Sequence, residues 1–105
     1  MSTEYMKVLK SQLSHGLEFE KKYIASTINK MLRVELGMVK KEIKQVMSTL
    51  VDFEKRYKMN SDKFYEKFNA GELGDDREYI KWYAYKDTYN KLTERSKEIE
   101  RVVNV

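Results

Sequence analysis

No cysteine and no proline occur in this chain, and its 105 residues include only four glycines and a single histidine. Without cysteine there is no disulfide, no thiolate metal site and no cysteine nucleophile, and a cytoplasmic setting is permitted. Long hydrophobic runs are missing too: 36% of the residues are charged, too dense a charge for a membrane span. The opening MSTEYMKVLKSQ has no basic stretch followed by an apolar one, so no signal peptide is expected. The expectation is a soluble, cytoplasmic protein with no membrane partner.

Charge and aromatic rings are abundant and unevenly placed. Residues 1–58 hold twelve Lys/Arg against seven Asp/Glu, whereas residues 59–105 hold nine against ten, so the net charge of +4 sits in the N-terminal half. Nine of the thirteen aromatic residues lie between Tyr57 and Tyr89. That is more aromatic content than a disordered polyelectrolyte carries, so the chain is expected to fold. Its length allows one domain, and a domain this small buries a modest share of its surface unless a partner adds to it.

Apolar residues at Leu32, Leu36, Val39, Ile43, Val46, Leu50, Phe53 and Tyr57 alternate steps of four and three without a miss, which is a heptad seam. Upstream, Leu13, Leu17, Ile24, Ile28 and Met31 also keep helical spacing, displaced by about one residue, so the stripe is expected to rotate near Met31 and Leu32. A long helix over residues 1–58 follows, with Gly16 as the place where a break or a frayed start could fall. From Leu17 to Tyr57 it spans about 60 Å at roughly 1.5 Å per residue.

The long helix ends in KMNSDKF, where Asn60 or Ser61 can cap a short helix over 61–70 and Asp62 suits its positive end. The only other glycines, besides Gly16 and Gly37, lie in AGELGDD, residues 70–76. Gly71 reads as a helix stop and Asp75, three residues before Glu78, as the start of the next helix in a carboxylate version of a capping box. Leu73 and Gly74 complete this corner, with Leu73 pegging it to the core. The last helix, over 76–103, carries Trp82, Tyr85, Tyr89, Leu92, Ser96, Ile99 and Val103 in heptad register. The fold expected is all-α: a long helix, a short middle helix, and a C-terminal helix folded back as an antiparallel, coiled-coil-like hairpin.

A returning helix of about 40 Å covers only part of the first. Leu13, Leu17, Ile24, Ile28 and Met31 are left bare, each worth roughly 1.5–3 kcal/mol when fully buried. Their sum is comparable with the whole stability of a small domain, about 5–15 kcal/mol. A homo-oligomer, with a dimer favoured, covers them most simply because two-fold symmetry lets one stripe serve both subunits. A different protein partner is the alternative.

Candidate chemistry is thin. His15 and Glu18 could supply two metal ligands or an acid and a base, but two ligands do not make a site. Glu72, Asp75, Asp76 and Glu78 could contact a hard cation, yet capping uses the same residues more fully. The glycines do not match a phosphate loop. No catalytic, cofactor-binding or metal residue is therefore assigned, no cofactor is expected, and the chain reads as non-enzymatic. A basic set, Lys30, Arg33, Lys40, Lys41 and Lys44, lies on the helix side away from the seam and surrounds Gly37. It is the candidate contact for nucleic acid, the second functional reading, though no aromatic is interleaved with it as a stacking platform requires.

The segment FEKRYKMNSDKFYEKFNAGELGDDREYIKWYAY, Phe53 to Tyr85, resembles short helical proteins of archaea and bacteria with a phenylalanine-rich turn and a Gly-x-x-Gly-Asp corner before a tryptophan-bearing helix. Phe64, Phe68, Gly71, Leu73, Gly74, Asp75 and Trp82 carry the likeness, over about a third of the chain. Some such proteins are encoded beside small toxin-like proteins of the TumE type. The resemblance implies an antitoxin-like or accessory subunit with a cognate toxin-like partner. Lys58 stands where a glycine often appears in such proteins, which implies a less sharp first corner here.

Overall fold

Three helices follow one another in the computed structural model, which describes residues 3–103 apart from the side chains of residues 13, 14 and 17–19. They are α1 (Thr3–Tyr57), α2 (Ser61–Asn69) and α3 (Arg77–Val103). The fold is the all-α hairpin expected, with α3 packed back along α1 and α2 wedged at the turn. Its radius of gyration is 22.9 Å, against about 13 Å for a compact domain of this length. The excess comes from α1 running on alone past the end of α3.

Gly16 does not break α1, which is continuous through it. The break that Gly16 could have introduced is not present there. A glycine inside a helix costs about 1 kcal/mol without obliging a bend, and here the helical spacing continues on both sides.

The heptad seam is the buried face of α1. Val39, Val46, Leu50 and Phe53 are buried, and Leu32, Leu36, Ile43 and Tyr57 are half-buried against the same core. Two clusters result. One gathers Val46, Leu50, Phe53, Phe64 and Trp82 near the turn. The other joins Val39 to Ile99 and Val103 near the end of α3.

On α3 the seam departs from the expected register at one position. Tyr85 is 41% exposed and touches Phe53 only obliquely, while Lys86 is 7% exposed. The lysine stem fills the seam and its ammonium emerges beside Asp62 Oδ1, at 2.7 Å, and over the Tyr89 ring, at 4.8 Å. A long aliphatic stem with a charged tip can thus occupy a core position. Ser96 is buried as well, and its hydroxyl donates to Glu100 Oε1.

Both corners are left-handed. At the first, Lys58 has φ +54°, the left-handed conformation that glycine adopts at least cost. Asn60 caps α2 by accepting the Lys63 N–H at 2.7 Å, and the Ser61 N–H donates to Glu54 Oε2. At the second corner the Glu72 N–H donates to the Lys67 carbonyl and the Gly71 N–H to the Phe68 carbonyl, with Gly71 at φ +75°. This is a Schellman termination. Leu73 is half-buried against the aromatic cluster, as expected.

The helix start is corrected by one residue. Asp76, not Asp75, caps α3, its Oδ1 accepting the Glu78 N–H at 2.8 Å. Gly74, at φ +78°, turns the chain first, and Asp75 is spent in the connection.

Candidate partner interface

Two apolar stripes run along α1, and only one of them is covered. Taking about 100° per residue, the seam residues Leu32, Leu36, Val39 and Ile43 cluster in one sector facing α3. Ile24, Ile28 and Met31 lie in a neighbouring sector and are 46%, 51% and 66% exposed. The expected rotation at Met31 and Leu32 does not occur as a handover. Leu32 enters the seam, whereas the upstream stripe continues beside it through Val34 and Met38, 64% and 67% exposed. Leu13 and Leu17, also expected in the stripe, have side chains outside the described residues.

Val34 and Met38 were not legible as interface residues because both fall off the heptad seam, Val34 between Arg33 and Glu35 and Met38 between Gly37 and Val39. Their spacing from Met31, three and seven residues, was the available signal. Together Ile28, Met31, Leu32, Val34, Glu35 and Met38 line an open groove of about 360 Å³. A second open hollow lies where α3 ends, between Val102 and the α1 residues Lys22, Ala25, Ile28 and Leu32. The bare region is therefore concave at the junction of hairpin and arm.

Its border is charged and asymmetric. On the side toward the seam stand Glu42 and Glu35, the latter lining the groove itself; Glu35 is engaged by Arg95, whose guanidinium donates to Oε1 at 2.7 Å. That carboxylate raises the Arg95 pKa above its ordinary value. On the other flank lie the basic residues Lys30, Arg33, Lys40, Lys41 and Lys44, all exposed. Lys40 pairs with Glu100 at 3.5 Å, so it is partly neutralised. The other four have no ion-pair partner among the described residues.

The corner residues form no comparable site. Gly71, Leu73, Gly74 and Asp75 shape the turn, Glu78 faces Arg56 at 3.6 Å, and no group of three or more metal-ligating side chains gathers among the described residues. His15 is exposed on α1; Glu18, its candidate partner, has its side chain outside the described residues. No described helix is long and apolar enough to cross a membrane.

Near the turn a small hollow of about 160 Å³ is lined by Leu50, Glu54, Ser61, Asp62, Lys86 and Tyr89, among others. Its polar groups are turned on one another: Lys86 on Asp62, Glu54 on the Ser61 N–H, and Ser61 Oγ on the Trp82 indole. It holds α2 to the hairpin. Comparison of the chain with models of known families, with curated proteins and with solved structures finds no match.

Proposed function

We propose that this chain is a non-enzymatic, oligomerising interaction protein whose uncovered α1 stripe is buried by a second copy of itself. The exposure of Ile24, Ile28, Met31, Val34 and Met38 on one side of one helix carries the reading. Solitary exposed apolar residues are ordinary, but a contiguous row beside a groove marks an interface. Full burial of each such side chain gains roughly 1.5–3 kcal/mol, so a symmetric pairing has ample driving force even after the entropic cost of association. Light scattering across a dilution series tests it: a mass of two chains that falls toward one on dilution is expected, and one chain at every concentration rejects it.

The resemblance around Phe64, Gly71, Gly74 and Trp82 extends the proposal to an antitoxin-like or accessory role with a toxin-like protein as the second partner. Co-expression with the product of an adjacent toxin-like reading frame tests that part. A stoichiometric complex supports it, and the lack of such a frame removes it while leaving the oligomer.

A further inference from the structure

We infer that the basic flank of α1, adjoining the apolar stripe, binds the phosphate backbone of duplex nucleic acid. At about 100° per residue, Lys30, Arg33, Lys41, Lys44 and Lys55 fall within about 80° of one another, on the side of α1 away from α3. Between residues 20 and 57 no Asp or Glu of α1 shares that sector. None of these five cations has an ion-pair partner among the described residues. A row of unneutralised like charges repels itself, and a polyanion relieves the repulsion by replacing condensed counterions with these side chains.

Gly37 supplies an independent observation. It lies in the middle of this face, framed by Arg33, Lys41 and Lys44, and a Cβ built on it meets nothing within 4 Å. No packing within the chain therefore requires glycine there, although a mid-helix glycine is unfavourable. Ser26 and Ser48 share the same line of the helix. Small residues between cations leave the helix surface low enough for a phosphate to approach between the lysine stems.

The duplex is favoured over a single strand because no aromatic residue is interleaved with the cations of this sector from Lys30 to Lys55, the exposed Tyr23 lying about two turns before Lys30, and single-strand binding draws on base stacking. Lys30 to Lys44 spans about 21 Å of a straight helix, along which a duplex presents one charge per about 1.7 Å. Recognition by lysines at phosphates is sequence-independent. The inference stands whether or not the apolar stripe pairs two copies.

The test is a fluorescence-anisotropy titration of the full chain against a mixed-sequence 20-base-pair DNA between 50 and 200 mM salt. Five phosphate contacts predict a slope of about −4.5 in log affinity against log salt. Lys30→Glu/Lys41→Glu/Lys44→Glu is expected to weaken binding at least tenfold and flatten the slope, with an unchanged helical circular dichroism spectrum. Gly37→Ala is expected to raise the melting temperature and yet weaken binding, a combination that a purely structural glycine does not give. Duplex affinity untouched by the triple substitution overturns the inference. So does tighter binding to a single strand of the same length, or lysine-dependent binding to phosphatidylserine vesicles with none to the duplex.

Discussion

The Trp82 indole lies flat on the Phe64 ring, centroids 3.8 Å apart and planes 7° from parallel. Both side chains are wholly buried, and Phe53 and Tyr57 also stack with the indole, at 5.6 and 5.5 Å. One ring from α3 thus joins α1 to α2, and the indole N–H donates to Ser61 Oγ at 3.0 Å. The turn is a knot of rings, with this hydrogen bond buried inside it.

Ser61→Ala is expected to leave that N–H unpaired in the core and cost about 1–3 kcal/mol. Trp82→Ala is expected to cost about 3–5 kcal/mol, the range for truncating a large buried aromatic. Urea unfolding followed by circular dichroism checks both. A Ser61→Ala variant as stable as the parent shows that the tie is dispensable.

Lys58 occupies φ +54°, where a side chain costs about 1–2 kcal/mol per residue. Glycine removes that cost and adds chain entropy to the unfolded state. Lys58→Gly is therefore expected to stabilise the hairpin by about 0.5–1 kcal/mol, read as a shift in the urea midpoint. Lys58→Val is expected to destabilise it, because branching at Cβ worsens the same clash.

The long helices and their contact were legible because Leu32 through Tyr57 repeat without a miss, and period alone chooses the buried face. The Gly71 stop was legible because one conformation there suits glycine. Asp75 and Asp76 were not separable, since either carboxylate can cap and only the turn at Gly74 decides between them. Lys86 was invisible: residue type assigns lysine to the surface, and its burial depends on Asp62 and Tyr89 arriving from the folded chain. The basic set was found, but the pairing of Lys40 was not legible because Glu100, its partner, lies sixty residues away in sequence. Lys55 escaped notice because it is eleven residues beyond Lys44, with Ser48 and Val51 between them in that sector.

Tyr65 makes the alkaline stability of the turn measurable. Its pKa is raised to about 12, first by a hydrogen bond with Tyr83, then by desolvation and by the Asp87 carboxylate, which its hydroxyl reaches at 3.2 Å. The folded state therefore favours the protonated phenol. Its contribution is complete below the ordinary value of 10.0 and is lost as pH rises toward about 12. Stability is expected to fall across that window, and Tyr65→Phe is expected to flatten the fall. Denaturant midpoints measured from pH 9 to 12 decide it, and equal pH slopes in the two proteins contradict the assignment.

Asp87 works in the acid direction. Lys91, at 3.0 Å, is the main cause of its lowered pKa. The carboxylate's contribution is present above the ordinary value of 3.8 and is lost as pH drops through the lower folded value. Asp87→Asn is expected to reduce the loss of stability below about pH 4, where the ordinary carboxylate begins to take up its proton. Acid titration of the denaturant midpoint reads it, and an unchanged acid limb in the variant argues against any folded-state role for this carboxylate.

Ile28 and Met31 are 51% and 66% exposed and touch neither core cluster, so changing them isolates assembly from folding. Exposed substitutions usually shift intrinsic stability by no more than about 0.5 kcal/mol. Ile28→Glu/Met31→Glu places two like charges on the proposed two-fold contact, four in the pair of chains, where burial leaves them without water. The variant is expected to sediment as one chain at concentrations where the parent sediments as two. The parent's melting temperature is expected to rise with protein concentration, as it does when assembly stabilises the folded state, and the variant's to stay constant. If the double variant keeps the parent's mass, the copies meet elsewhere and the stripe belongs to another partner.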